Sequence, residues 1–453
     1  MRELERRFPR QLAVVGVHSG KFIAERETAR IAHAAARLGV HHAVVNDRQF
    51  RVWRSWAVRA WPTLAVVDAR GYAVAVQAGE LTADELMPLV AALAAEPAMA
   101  ADLPTPPAPA PPPADSALRY PGKVAVSAPD ADGVRRLAVA DSARHRVLVG
   151  RLDAGGTRLT VERVVGRGGA TSAGTGPVGT GATRDDLRAA ADGPADAATF
   201  DNPQGLAFGT GAHAGTLFVA DAGNHAVRAV DLATGAVRTL AGTGARVRTR
   251  EDRRAGALAS PWDLAYAVVD GRPTLAVAMA GTHQLWIVDP ATGAASAHAG
   301  GRGEDLMDGA LADALLAQPM GIATDGRTLW FADAESSAVR AADAAPAGTV
   351  RTVVGTGLFD FGDRDDVGDA ARLQHPQGVA LAPDGRLLVA DSYNDALRWV
   401  DPATRAVTTW QRGFHEPGGL AIGGGRVWVA DTNAHRVVTL DLDTGEQAEV
   451  ALT

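Results

Sequence analysis

A short pattern recurs through most of this chain: Pro-x-Gly, a brief apolar strand, and then a second strand closing on Ala-Asp. Pro203-Gln204-Gly205, Pro319-Met320-Gly321, Pro376-Gln377-Gly378 and Pro417-Gly418-Gly419 each open such a unit. Pro261-Trp262-Asp263 and the compressed Pro121-Gly122 are its divergent versions. Downstream, FVADAGNHAVRAVDLATG from Phe218 aligns with LVADSYNDALRWVDPATR from Leu388 and WVADTNAHRVVTLDLDTG from Trp428. Weaker copies lie around Asp141, Met279 and Asp333. Each unit reads as four short antiparallel strands joined by tight turns. Four such strands cannot bury both faces alone, so the units must stack radially, as the blades of a propeller do. Six copies imply six blades, over residues 118–453.

Ahead of the repeats the pattern changes twice. Residues 97–117 include LPTPPAPAPPPAD, a run without periodicity that favours extended polyproline II and reads as a linker. Residues 1–96 alternate short apolar runs (12–17, 41–46, 64–68, 72–77) with helical spacing (25–38, 50–58, 82–95). That is an α/β order, β-α-β-α-β-β-α.

The Pro-x-Gly units resemble NHL repeats, as does the run Asp192-Gly193, Ala198, Phe200, Pro203. It returns as Asp308-Gly309, Ala314, Leu316, Pro319, and more loosely as Asp365-Asp366, Ala371, Leu373, Pro376. GVHSGKF, VNDRQFRVW and AWPTL resemble the thioredoxin-like part of the NHL-repeat-containing thioredoxin family. The resemblance implies a truncated thioredoxin-like α/β domain followed by an all-β six-bladed propeller. It also implies a cis Trp61-Pro62 bond, a partner-binding groove beside Trp61, Pro62 and Thr63, and a family-level link to cell redox homeostasis. The family's first strand and Cys-x-x-Cys turn would lie upstream of Met1, either discarded in evolution or left out by a start placed too late.

The chain has no cysteine, which removes thiol redox chemistry and thiolate metal sites from these residues. Its formal net charge of −7 argues against nucleic acid, whose phosphates need a basic face. No run nears the roughly 20 apolar residues that span a bilayer, so neither nucleic acid nor membrane is expected as a partner, and a cytoplasmic location is. Arginines on the repeat strands read as a solvated face, and at least two of Trp53, Trp56 and Trp61 as core aromatics. His145, His225, His283 and His435 share one slot after the second strand and read as turn-stabilising groups; His375 and His415 precede Pro-x-Gly strands, nearer the channel. Asp360, Asp363, Asp365, Asp366 and Asp369 read as a solvated acidic loop. No glutamate could be placed on an inner strand.

These readings give no catalytic residue, no metal ligand and no cofactor. The first expectation is a noncatalytic binding or scaffold protein, its protein or peptide partners on the propeller rim and in the cleft between domains. One rival is a thiol-disulfide oxidoreductase whose dithiol lies upstream; another is a metal-dependent propeller hydrolase or lyase.

Overall fold

Thr82 opens the last helix of the N-terminal half with a capping box: its hydroxyl accepts the Glu85 amide at 3.2 Å, and Glu85 reaches back to the Thr82 amide. The computed structural model describes residues 1–96, 116–167, 190–247, 251–252, 255–301 and 303–453. It divides into two units, Met1–Pro113 and Ala114–Thr453. Most of the expected linker and residues 168–189 lie outside the described residues.

The first unit runs α1 (Arg2–Arg7), β1 (Val15–His18), α2 (Thr28–Leu38), β2 (Ala43–Asn46), α3 (Arg51–Ser55), β3 (Thr63–Val67), β4 (Ala73–Ala78) and α4 (Ala83–Ala94). Its strands pair as two small sheets, β1 parallel to β2 and β3 antiparallel to β4. Leu4, Leu86 and Val90 form the buried core. The Trp61-Pro62 bond is cis.

The second unit contains six sheets, each with four strands consecutive in sequence, and three of them gain a two-residue fifth strand at the outer edge. The blades cover residues 121–165, 203–241, 261–299, 319–354, 378–412 and 417–449. Six apolar layers fill the spaces between neighbouring blades. Phe218, Leu275 and Trp286 meet in one of them, and Leu137, Trp428 and Val437 in the layer that joins the last blade to the first. Each buried side chain of this size contributes about 1.5–3 kcal/mol, so stacking holds the ring. Closure adds a device the repeats do not announce. Ala451–Leu452 pairs in parallel with Arg158–Val165, so the C-terminus covers the outer edge of the first blade.

The histidine slot does more than stabilise a turn. His145, His225, His283 and His435 each sit at positive φ and accept, through Nδ1, a backbone amide of the next blade: Asn202, Ser260, Gln318 and Tyr120, at 3.0–3.1 Å. Ser337 and Asp395 fill the same slot and accept from His375 and Glu416. Every receiving residue immediately precedes the first position of a Pro-x-Gly motif or its divergent copy and also has positive φ. The slot is thus a latch repeated at six interfaces, including the one that closes the ring. His225→Ala should cost about 1–3 kcal/mol by leaving the Ser260 amide without its acceptor. His225→Asp should recover part of that loss, because Asp395 supplies the same bond in its own blade. Chemical denaturation of the three proteins measures both.

The solvated-face reading of the strand arginines is overturned at three positions. Arg228, Arg340 and Arg398 are fully buried. Arg228 donates to Asp221 and Asp192, both at 2.9 Å, and Arg340 to Asp333 at 3.0 Å and Asp308 at 2.9 Å. Arg398 joins Asp391 at 2.6 Å to Asp363 and Asp365. The recurring outer aspartates 192, 308 and 365 therefore bind a buried guanidinium, and each also accepts a threonine hydroxyl from the fourth strand. Alternation along a strand separates two faces, but in a propeller both faces of a blade are covered.

Candidate functional site

The innermost strands surround the propeller axis, and the third position of each opening motif forms a ring: Lys123, Gly205, Asp263, Gly321, Gly378 and Gly419. Close approach explains the glycines. A Cβ on Gly419 would lie 2.4 Å from Lys123 Cδ, and one on Gly205 2.4 Å from Asp263 Cα. The two blades that depart from glycine place opposite charges here.

Lys123 and Asp263 are both buried and form an ion pair at 3.4 Å. Lys123 Nζ also donates to the Met320 carbonyl at 2.8 Å and to the Gln377 carbonyl. The Asp263 carboxylate accepts the amides of Leu264 at 2.9 Å and Ile322 at 3.2 Å. Burial pushes Lys123 down and Asp263 up, each against the pull of the other's charge. Three oxygen acceptors surround the Lys123 nitrogen, one for each proton of an ammonium. The pair braces four blades across the axis.

From this neck a cavity of about 610 Å³ extends along the strands, lined by Val126, Leu206, Phe208, Leu264, Ile322 and Leu381 among others. Its volume lies in the range of small-molecule sites, and its charged lining residues are Lys123 and Asp263 at the neck together with Asp130 and Arg136.

His375 and His415 do not meet here. His375 stacks on Tyr393, with ring centroids 4.4 Å apart, and lies 3.3 Å from Glu335. His415 is exposed, and its amide donates to Asp431. Glu416 is buried immediately before the inner strand Pro417–Gly423, which itself carries no glutamate. Its amide bond to Asp395 gives it the latch-receiving role. The acidic loop is knitted inward by arginines: Asp363 and Asp365 hold Arg398, Arg412 joins Asp363 at 2.8 Å, and Arg364 pairs with Asp366. Among the described residues, no group of three or more His, Cys, Asp or Glu side chains is placed to hold a metal.

In the first unit, Trp61 donates its indole N–H to the Ser19 carbonyl at 2.8 Å, and Thr63 its hydroxyl to the Ala60 carbonyl at 2.7 Å. Pro62 between them is exposed. Trp61 packs on Trp53 with centroids 4.4 Å apart, and Phe50 meets Trp53 edge-on. The expectation that at least two of the three tryptophans are core is overturned. Trp61 is 48% and Trp56 40% exposed, and Trp53 is only partly buried. The strands and helices around them are too short to cover such large rings.

The sequence model of the NHL repeat matches residues 373–399 and 414–440. The chain is 34% identical to Protein SUPPRESSOR OF QUENCHING 1, chloroplastic, of Arabidopsis thaliana, over 96% of this chain and 42% of that one. It is 32% identical to NHL repeat-containing protein 2 of Homo sapiens, over 96% of this chain and 62% of that one. It thus spans less than two thirds of either relative's length. Among solved structures, a gluconolactonase from Xanthomonas campestris matches with a TM-score of 0.43 and 15% identity, over 70% of this chain and 84% of that one. The chain thus carries NHL repeats at residues 373–399 and 414–440, within a unit of six blades, and is similar over 96% of its length to NHL repeat-containing protein 2.

Proposed function

We propose that this chain is a noncatalytic binding platform, its propeller presenting a rim to protein or peptide partners and its first unit a thioredoxin-like module without thiols. The carrying observation is the neck of the channel, where Lys123 and Asp263 satisfy each other and the surrounding backbone. Each group is engaged by the other and by the backbone, which disfavours its use in polarising or attacking a substrate. Exposed apolar side chains on the outer edges support the rim as the working surface. Val367, on the short outer strand of the fifth blade, is 56% exposed, and Phe359, on the segment leading into that strand, is 68% exposed. Trp61, Pro62 and Thr63 are offered as partner contacts on the first unit. The net charge makes nucleic acid and anionic membranes poor partners, and no helix among the described residues is long and apolar enough to cross a membrane. A cytoplasmic location belongs to the same proposal.

A photo-crosslinking residue at position 359, installed in the native host, tests the platform. Discrete crosslinked proteins, lost when Val367→Ser is added, are the expected result. Turnover of a small molecule by the purified chain, abolished by changes lining the cavity, would overturn it.

A further inference from the structure

Between Asp47 and Trp61 the chain carries Arg48, Arg51, Arg54 and Arg59 interleaved with Phe50, Trp53, Trp56 and Trp61. All four arginines are exposed. Arg54 donates to the Gln49 carbonyl at 2.7 Å, while the guanidinium groups of Arg48, Arg51 and Arg59 are free of ion pairs among the described residues. The segment's one acid, Asp47, is buried and turned inward. Its carboxylate accepts the amides of Arg51 at 2.7 Å, Val52 at 3.1 Å and Trp53 at 2.9 Å, and the Ser19 hydroxyl at 2.9 Å. Asp47 thus organises α3 without neutralising the arginines around it. Arg26 adds a further cation over the Phe50 ring, 5.6 Å from its centroid.

We propose that residues 48–61 form a docking surface for a short acidic protein segment that also carries apolar side chains. Tryptophan and arginine are the residue types that dominate binding energy at protein interfaces, and here they stand together uncovered. The aromatic part is already ordered: Trp61 is fixed to the Ser19 carbonyl and packed on Trp53, so little side-chain entropy remains to be lost on binding. The unpaired guanidinium groups supply the charge preference, since each can fork onto a carboxylate. An acidic segment fits better than a lipid surface or a nucleic acid. Extended polyanions meet the whole chain, whose net charge is −7, whereas a short segment senses charges within a Debye length of about 8 Å. The inference concerns the first unit and does not depend on the propeller's rim being a platform.

The test uses the purified full chain and a fluorescently labelled peptide of Glu and Asp interspersed with Leu and Phe, followed by anisotropy. A control peptide carries Gln and Asn at the acidic positions. The expected result is binding of the acidic peptide that weakens about tenfold in the quadruple variant R48Q/R51Q/R54Q/R59Q, equivalent to one factor of ten in Kd. Trp56→Ala, a change outside the packed pair, should weaken it as well. Circular dichroism matching wild type confirms that the variants are folded. The proposal is overturned if both peptides bind equally, if the quadruple variant binds as wild type does, or if phosphatidylglycerol vesicles or oligothymidylate bind more tightly than the acidic peptide.

Discussion

Lys123→Met is expected to destabilise the protein by about 3–5 kcal/mol, because it strands a buried carboxylate. Asp263 lies in the neck of the channel and has Lys123 as its ion-pair partner at 3.4 Å. Asp263→Leu alone should cost a similar amount by leaving the ammonium with two neutral carbonyls. The double variant K123M/D263L should return to within about 1 kcal/mol of wild type, since a buried ion pair exchanged whole for apolar groups is often neutral or stabilising. Denaturant titration of the four proteins gives the coupling energy directly. Additive losses would show that the two side chains stabilise the neck independently.

Arg340→Met should cost about as much, roughly 3–5 kcal/mol, again by stranding a buried acid. Asp333 is fully buried, and Arg340 also ties down the carbonyls of Leu315 and Met307 at 2.7 and 2.9 Å. The third blade shows that the pair can be exchanged, for Met279 and Trp286 hold the corresponding positions there, both buried. Adding Asp333→Met to Arg340→Met should therefore recover much of the loss. The outer acid of the same cluster adds a pH signature. Burial pushes the Asp308 carboxyl up, but the Thr352 hydroxyl and amide and the Arg340 guanidinium outweigh it and hold it below its ordinary 3.8. Its contribution is complete above that value and is lost as the pH falls through the lower folded-state pKa. Wild type should lose stability in that window, and Arg340→Met should lose less.

The propeller is legible in the sequence because each blade repeats its turn chemistry, and Pro-x-Gly marks where an inner strand begins. The neck is harder to read. Pro121-Gly122 and Pro261-Trp262-Asp263 look like decay when each blade is taken alone. Stacked in register, they place Lys123 and Asp263 on one ring, and a complementary pair of departures is a signal that single-unit reading discards. The buried arginines repeat a spacing, 221 to 228, 333 to 340 and 391 to 398, which alternation within one strand hides. The latch resists recognition for a different reason. His, Ser and Asp share an acceptor at one position and no other likeness. Ring closure by Ala451–Leu452 involves too few residues to carry a pattern. The tryptophans depart from the expectation of burial because size favours a core position, while the short elements around them offer too little cover.

Surface binding, rather than channel chemistry, is the proposed role of the propeller. The most direct measurement places the photo-crosslinker at position 359 in the K123M/D263L background and quantifies the captured partners in the native host. The same partners in the same yield are expected, because the neck only braces the ring. Loss of those crosslinks from a folded double variant would contradict the claim and return the channel to the centre of the protein's function.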